Sequence, residues 1–218
     1  MTTDRTDADG RPMYSALVEA AIRLASRGHY HQFRKRNRGA RADAVPGSPL
    51  PDDHVPYITH LMGTVTILAR LGAKDEVLAA AALHDYLEDV PDPDGRRRIV
   101  DAAGPEVLEL VLAVTEDKRP GLDGNATWKA RKSEQLDRIE SMPGEAVLIK
   151  GADTLHNLIT LVVDLEGTDD PCDVWDRFNA PREEQLWYFT GTLEALRKRL
   201  GDHPLTMELA QVIRRLEA

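Results

Sequence analysis

The segment Ala80-Ala81-Ala82-Leu83-His84-Asp85-Tyr86-Leu87-Glu88-Asp89-Val90 sets four ionisable residues within six positions at the end of an alanine-rich run. On a helix, residues four apart share a face, so His84 lies over Glu88 and Asp85 over Asp89 in two adjacent polar stripes. Burying such a cluster is unfavourable unless something offsets its charge. An imidazole nitrogen and a carboxylate oxygen from neighbouring positions can bind one divalent ion. The two carboxylates of the next turn, Glu88 and Asp89, are then placed to orient or deprotonate a water, as metal-assisted hydrolysis requires. Taken alone, the same string also fits a helix end bearing ordinary solvent-facing acids.

Two further segments bear on that choice. His60 lies in Pro56-Tyr57-Ile58-Thr59-His60-Leu61, at the edge of a face marked by Ile58, Leu61, Val65 and Leu68. By itself it reads as a satisfied core or boundary histidine. In the apolar run from Ala146 to Ile159, Asp153 and Asn157 stand four apart. A carboxylate in such surroundings needs a cation or several donors. Together His60, His84, Asp85 and Asp153 make a two-histidine, two-carboxylate set suited to manganese, iron or zinc, and ligand softness does not choose among them.

The order of a histidine, then His84-Asp85-x-x-Glu88-Asp89, then Lys150-x-Ala152-Asp153-x-x-x-Asn157 resembles the HD phosphohydrolase superfamily. Within it, the pattern resembles the Rel/SpoT-type hydrolase domain of guanosine polyphosphate alarmones and the small alarmone hydrolases. Gln32-Phe33-Arg34-Lys35 and Pro56-Tyr57-Ile58-Thr59-His60 are similar to two further family pieces, and Val114 to Lys118 and Trp128 to Lys132 to later ones. The likeness runs from about residue 14 to residue 200, and Phe178-Asn179 with Gln185 to Phe189 resembles a subgroup of stand-alone bacterial members. The resemblance implies an all-α helical bundle with the metal site between helices, and manganese as the usual ion. It implies hydrolysis of guanosine-3′,5′-bis(diphosphate) at the ribose 3′ position, releasing pyrophosphate. Glu88 and Asp89 would act on the water. Asn157 and Lys150 would support the ribose-phosphate side, and Arg34, Lys35, Lys129, Arg131 and Lys132 would meet the phosphates or, for Arg34, the base. Tyr188 is a further substrate-binding candidate, although it and its aromatic neighbours read first as packing for the C-terminal helices.

This sequence departs from the family pattern in places. Residues 36–55 intervene where members run almost directly from Arg-Lys to Pro-Tyr, and His31, Thr154 and Ile159 replace a usual glycine, a usual basic residue and a frequent arginine. These changes motivate a second reading, a phosphohydrolase of a nucleoside monophosphate or another phosphorylated metabolite. A third reading, a non-catalytic nucleotide sensor, ranks last because Glu88 and Asp89 are both present.

Composition fits this chemistry. The chain has 218 residues and a formal net charge of −9, which disfavours non-specific nucleic-acid binding. Yet no acid falls between Glu19 and Asp43, where Arg23, Arg27, Arg34, Lys35, Arg36, Arg38 and Arg41 occur. That island reads as a wall for a small polyanionic nucleotide at Arg34 and Lys35, and as solvated loop at Arg36, Arg38 and Arg41. No run of about 18 apolar residues and no signal-like N-terminus appears, so a cytoplasmic, non-membrane protein is expected. The single cysteine, Cys172, has no internal disulfide partner.

Apolar periodicity predicts helices near 13–28, 56–71, 74–90, 95–103, 105–116, 127–141, 144–165, 181–200 and 203–216, with no convincing strand. The expected organisation is a disordered tail at 1–12, one domain at 13–202 with an inserted loop at 36–55, and a C-terminal helix at 203–218 packed on it.

Overall fold

A central helix, fully buried along its alanine-rich second half, organises the molecule. The computed structural model describes residues 13–34, 55–119 and 121–217. The expectations for the 1–12 tail, for most of the 36–55 loop and for Lys35 lie outside the described residues. Ala79 to Leu83 are all essentially inaccessible to solvent, and the small alanine side chains let neighbouring helices approach this axis.

In chain order the helices are α1 (Ala16–Gly28), α2 (Ile58–Arg70), α3 (Asp75–Leu83), α4 (Tyr86–Asp89), α5 (Gly95–Ala103), α6 (Pro105–Val114), α7 (Gly124–Ile139), α8 (Gly144–Glu166), α9 (Pro171–Trp175), α10 (Arg182–Leu200) and α11 (Pro204–Glu217). α3 packs against α1, α2, α6 and α8. α8 in turn carries α2, α6, α10 and α11, so α3 and α8 are the two inner members of an all-α bundle. Local chemistry sets the ends: Ser15 caps α1, Asp123 caps α7 and Asp170 caps α9 through side chains that accept backbone N–H groups. Between α5 and α6, Gly104 turns at φ 88° and Pro105 opens the next helix.

α8 is also the one described helix apolar and long enough to cross a membrane, but 61% of its apolar window is buried inside the protein. It carries Lys150 and Asp153 on its packed surface and serves as a core helix.

Three expectations are corrected. The helix predicted over 74–90 is broken, because α3 ends at Leu83 and α4 begins at Tyr86. His84 Nδ1 donates to the Ala81 carbonyl at 2.7 Å, occupying an acceptor that a continuing helix would use for its own backbone. Secondly, Phe33–Arg34 (β1) and Val55–Pro56 (β2) form an antiparallel ladder pairing Phe33 with Pro56 and Arg34 with Val55. Two residues per strand are too few for an alternating pattern to register. Thirdly, α9 was not expected; it is a single turn of five residues, below the length at which helical periodicity appears.

Candidate metal centre

The break after α3 aims His84 and Asp85 at α2 and α8. His60 Nε2 lies 3.2 Å from His84 Nε2, 3.2 Å from Asp153 Oδ1 and 3.6 Å from Asp85 Oδ2. His84 Nε2 lies 3.3 Å from Asp85 Oδ2 and 3.7 Å from Asp153 Oδ1. Four predicted ligands from three parts of the chain, α2, the break after α3 and α8, therefore meet within the span of one coordination sphere, and both histidines are buried. His60, His84 and Asp85 form a group able to hold a metal ion.

The hydrogen bonds behind the quartet decide which atoms face inward. Arg34 can only donate, so its Nη1, 3.3 Å from His156 Nδ1, fixes that nitrogen as an acceptor. His60 Nδ1, 2.9 Å from the same atom, then carries the ring proton and donates it. Its Nε2 is left as a lone pair. His84 reaches the same state through its Nδ1 bond to Ala81. With both rings neutral, two nitrogen lone pairs face Asp85 Oδ2 and Asp153 Oδ1, which also accept from Tyr57 and Asn157, and this concentration of acceptors favours a cation. The residues fit a divalent metal.

When a proton is that cation, it resides on His84. Burial opposes charging of this ring, but Asp85 and Asp153 outweigh it and raise the pKa to about 9. Burial pushes His60 below its ordinary value. Asp153 is held well below the usual carboxylate range because Lys150 and the two histidines outweigh its burial.

Asp153 is fixed on both oxygens: Lys150 Nζ donates to Oδ2 at 3.0 Å and Asn157 Nδ2 to Oδ1 at 2.7 Å. Arg34 Nη2 donates to Asn157 Oδ1 at 2.7 Å. Lys150 and Asn157 thus hold Asp153, with Arg34 behind Asn157, and all three line the cleft. Gly63 of α2 makes room for this shell, since a Cβ there would fall 2.0 Å from the His156 ring.

Beside the quartet stand Glu88 and Asp89. The Tyr57 hydroxyl shares its proton between Asp85 Oδ2 at 2.6 Å and Asp89 Oδ2 at 2.9 Å. Glu88 Oε1 accepts the Glu116 backbone N–H at 2.5 Å. Burial, reinforced by Asp85, pushes the Glu88 carboxyl up to about 7 against the pull of Lys118 and Lys150. Lys118 bonds Asp89 and lies 3.6 Å from Glu88 Oε2.

These groups border a cleft of about 660 Å³ lined also by Arg131, Lys132, Tyr188 and Arg177. Arg131 and Lys132 both pair with the buried Glu116, Lys132 at 2.6 Å, and the Tyr188 hydroxyl donates to Gln135. Lys129 is a correction. It lies outside the cleft, over the Trp187 ring at 3.6 Å and 3.7 Å from Glu184. Trp128, Arg131, Lys132 and Gln135 share the inner face of α7, and residue 129 falls off that face.

Sequence reasoning gave no role to Tyr57, Glu116, Lys118 or His156. His156 shares a helix face with Asp153, three positions away, and that spacing was the available signal. Glu116 and Lys118 follow a helix end, where no periodicity points inward.

The fold and this cluster of two histidines and two aspartates are those of an HD-domain protein. Residues 40–178 match the family model of the HD domain, more than half of the chain, and the chain belongs to that family. It is 33% identical over 112 residues to the guanosine-3′,5′-bis(diphosphate) 3′-pyrophosphohydrolase of Haemophilus influenzae, covering 49% of this chain and 15% of that protein. The chain thus spans only about 15% of the length of the curated relatives it matches. Among solved structures it resembles a metazoan ortholog of SpoT described as hydrolysing ppGpp, with TM-score 0.66 and 26% identity over 93% of this chain and 97% of that one. A Listeria monocytogenes EGD-e protein superposes with TM-score 0.62 and 28% identity over 74% and 95% of the two chains.

Proposed function

We propose that this protein is a manganese-dependent 3′-pyrophosphohydrolase of guanosine-3′,5′-bis(diphosphate), acting in the cytoplasm in the stringent response. The observation that carries the reading is the convergence of two histidine nitrogens and two carboxylate oxygens beside an acid pair, at one side of a cleft lined with arginine and lysine. The match along nearly the whole chain to a ppGpp-hydrolysing protein supports the substrate. In this reading residues 13–202 form the catalytic domain and α11 is its C-terminal appendage.

His60, His84, Asp85 and Asp153 would hold the ion, which supplies Lewis acidity and makes a neighbouring water acidic near neutral pH. Glu88, with a pKa near neutrality, takes the proton of the attacking water. Asp89, oriented by Tyr57 and Lys118, positions that water. The water oxygen adds to the phosphorus carried on the ribose 3′ oxygen, the P–O3′ bond breaks, and a proton returns to the 3′ oxygen. Lys150 and Lys132 neutralise the departing pyrophosphate.

A nucleotide panel on manganese-loaded protein, with products separated by chromatography, tests this. Guanosine tetraphosphate should yield GDP and pyrophosphate. If it stays intact while a monophosphate is hydrolysed, the second enzymatic reading, motivated by Thr154 and Ile159, replaces this one. Metal content by elemental analysis should fall together with Tm in His84→Ala and Asp153→Asn, and unchanged metal in both would remove the proposed centre.

A further inference from the structure

Among the described residues, the cations of the cleft are unequally committed. Lys150 is bound to Asp153, Lys132 and Arg131 to Glu116, Lys118 to Asp89 and Arg34 to Asn157. Arg177, in the turn after α9, lines the same cleft. Its Nη1 stands 3.7 Å from Asp164 Oδ2, beyond hydrogen-bonding distance. Its buried Nε has no acceptor. A buried guanidinium N–H left unmade is costly; Nε is closed off from solvent, while the Arg177 side chain as a whole is 26% exposed and lines the cleft, so an occupant meets the guanidinium through its exposed part.

The course of α8 locates this corner. Lys150 and Asp153 mark the metal end of the helix, where Lys132, Glu116 and Tyr188 gather. Asp164 lies eleven residues beyond Asp153, about 16 Å at a rise of 1.5 Å per residue. Arg177 therefore sits away from the phosphate-binding lysines. Phe178 lines the wall beside it, its ring 5.9 Å from that of Trp175.

Charge decides what suits the corner. Asp164 offsets the guanidinium and would repel a phosphate, whereas a neutral heterocycle gains from both the donors and the aromatic face. Guanine presents two acceptors, O6 and N7, on one edge, a match for an arginine fork, while adenine presents one acceptor and a donor there. We propose that Arg177, with Phe178 beside it, reads the nucleobase of the substrate and selects guanine over adenine. The inference rests on the nucleotide-hydrolase reading above.

The test compares guanosine and adenosine 3′,5′-bis(diphosphate) on wild type, Arg177→Ala and Arg177→Lys, with metal content measured in each. The alanine variant should raise KM for the guanosine substrate by roughly tenfold or more while kcat and the adenosine KM change little. Lysine, a point charge without the fork, should not restore the preference. Calorimetric binding of GDP against ADP to the same metal-loaded proteins supplies a readout independent of turnover. If wild type hydrolyses neither substrate, the proposed function fails, and loss of the GDP preference in Arg177→Ala still supports the base contact. Equal weakening toward guanosine and adenosine ligands would mark a phosphate contact and overturn the inference, as would an unchanged preference.

Discussion

His60 and His156 meet Nδ1 to Nδ1 at 2.9 Å, and because Arg34 donates to the same His156 atom, His60 is locked in the tautomer whose Nε2 faces the other ligands. An outer residue thus determines the chemistry of an inner one. His156→Phe keeps a ring but removes the acceptor, and metal affinity should drop by roughly 10–100-fold. His156→Gln keeps an acceptor and should recover much of it. Competition with a chelating dye measures both; equal affinities in wild type and the Phe variant would exclude tautomer control. Gly63→Ala should mimic the loss and also lower Tm, because the added carbon would strike the His156 ring.

Metal binding should release a proton. In chelator-treated protein His84 titrates near 9, above the ordinary histidine value of about 6.5. A group raised on folding contributes stability that is full below the unfolded value and lost as pH rises through the folded one. Chelated protein should therefore lose Tm between about pH 6.5 and 9, while apparent metal affinity climbs over the same interval as the competing proton leaves. Calorimetry in buffers of different ionisation enthalpy counts the proton at pH 7.5. No release would place the imidazolium elsewhere.

Much of this was readable from sequence because two signals coincided. Helical periodicity marked α2 and α8, and polar residues stood within or at the edge of their apolar pattern, at His60, Asp153 and Asn157. The break at His84 was not readable, since it depends on a side chain bonding the Ala81 carbonyl, a choice that propensity does not encode. Glu116 was hidden for a different reason. Its partners Arg131 and Lys132 are a turn and a helix away, so only the fold brings the charges together. Lys129 came in with the likeness of Trp128 to Lys132 to a basic helix of the family, but its position on α7 turns it onto Trp187 and Glu184.

The acid pair separates chemistry from metal binding. Glu88 and Asp89 are not among the four converging ligand atoms, so Glu88→Gln and Asp89→Asn should retain the ion. Turnover should fall by roughly a hundredfold or more. Asp89→Asn should also loosen Lys118, which now bonds the Asp89 carboxylate, and raise KM in addition to lowering kcat. Near-normal kcat in both metal-loaded amide variants would remove them from the proton transfer.

Glu116 offers a test of how the cleft holds its positive charge. Its side chain is 5% exposed and binds Arg131 and Lys132 together, with Lys150 close enough that its charge depresses Lys132 further after burial has done so. Glu116→Ala leaves the buried Arg131 and the partly buried Lys132 facing Lys150 without the anion that now pairs them. Removing one partner of a buried ion pair costs about 3–5 kcal/mol, and denaturant unfolding at neutral pH should record a loss of that order. The metal quartet does not touch Glu116, so metal content should be unchanged. Inorganic pyrophosphate, supplying the missing negative charge, should raise the Tm of the variant more than that of wild type. A loss below about 1 kcal/mol, with no differential rescue, would mean that solvent and not Glu116 carries the charge of this wall.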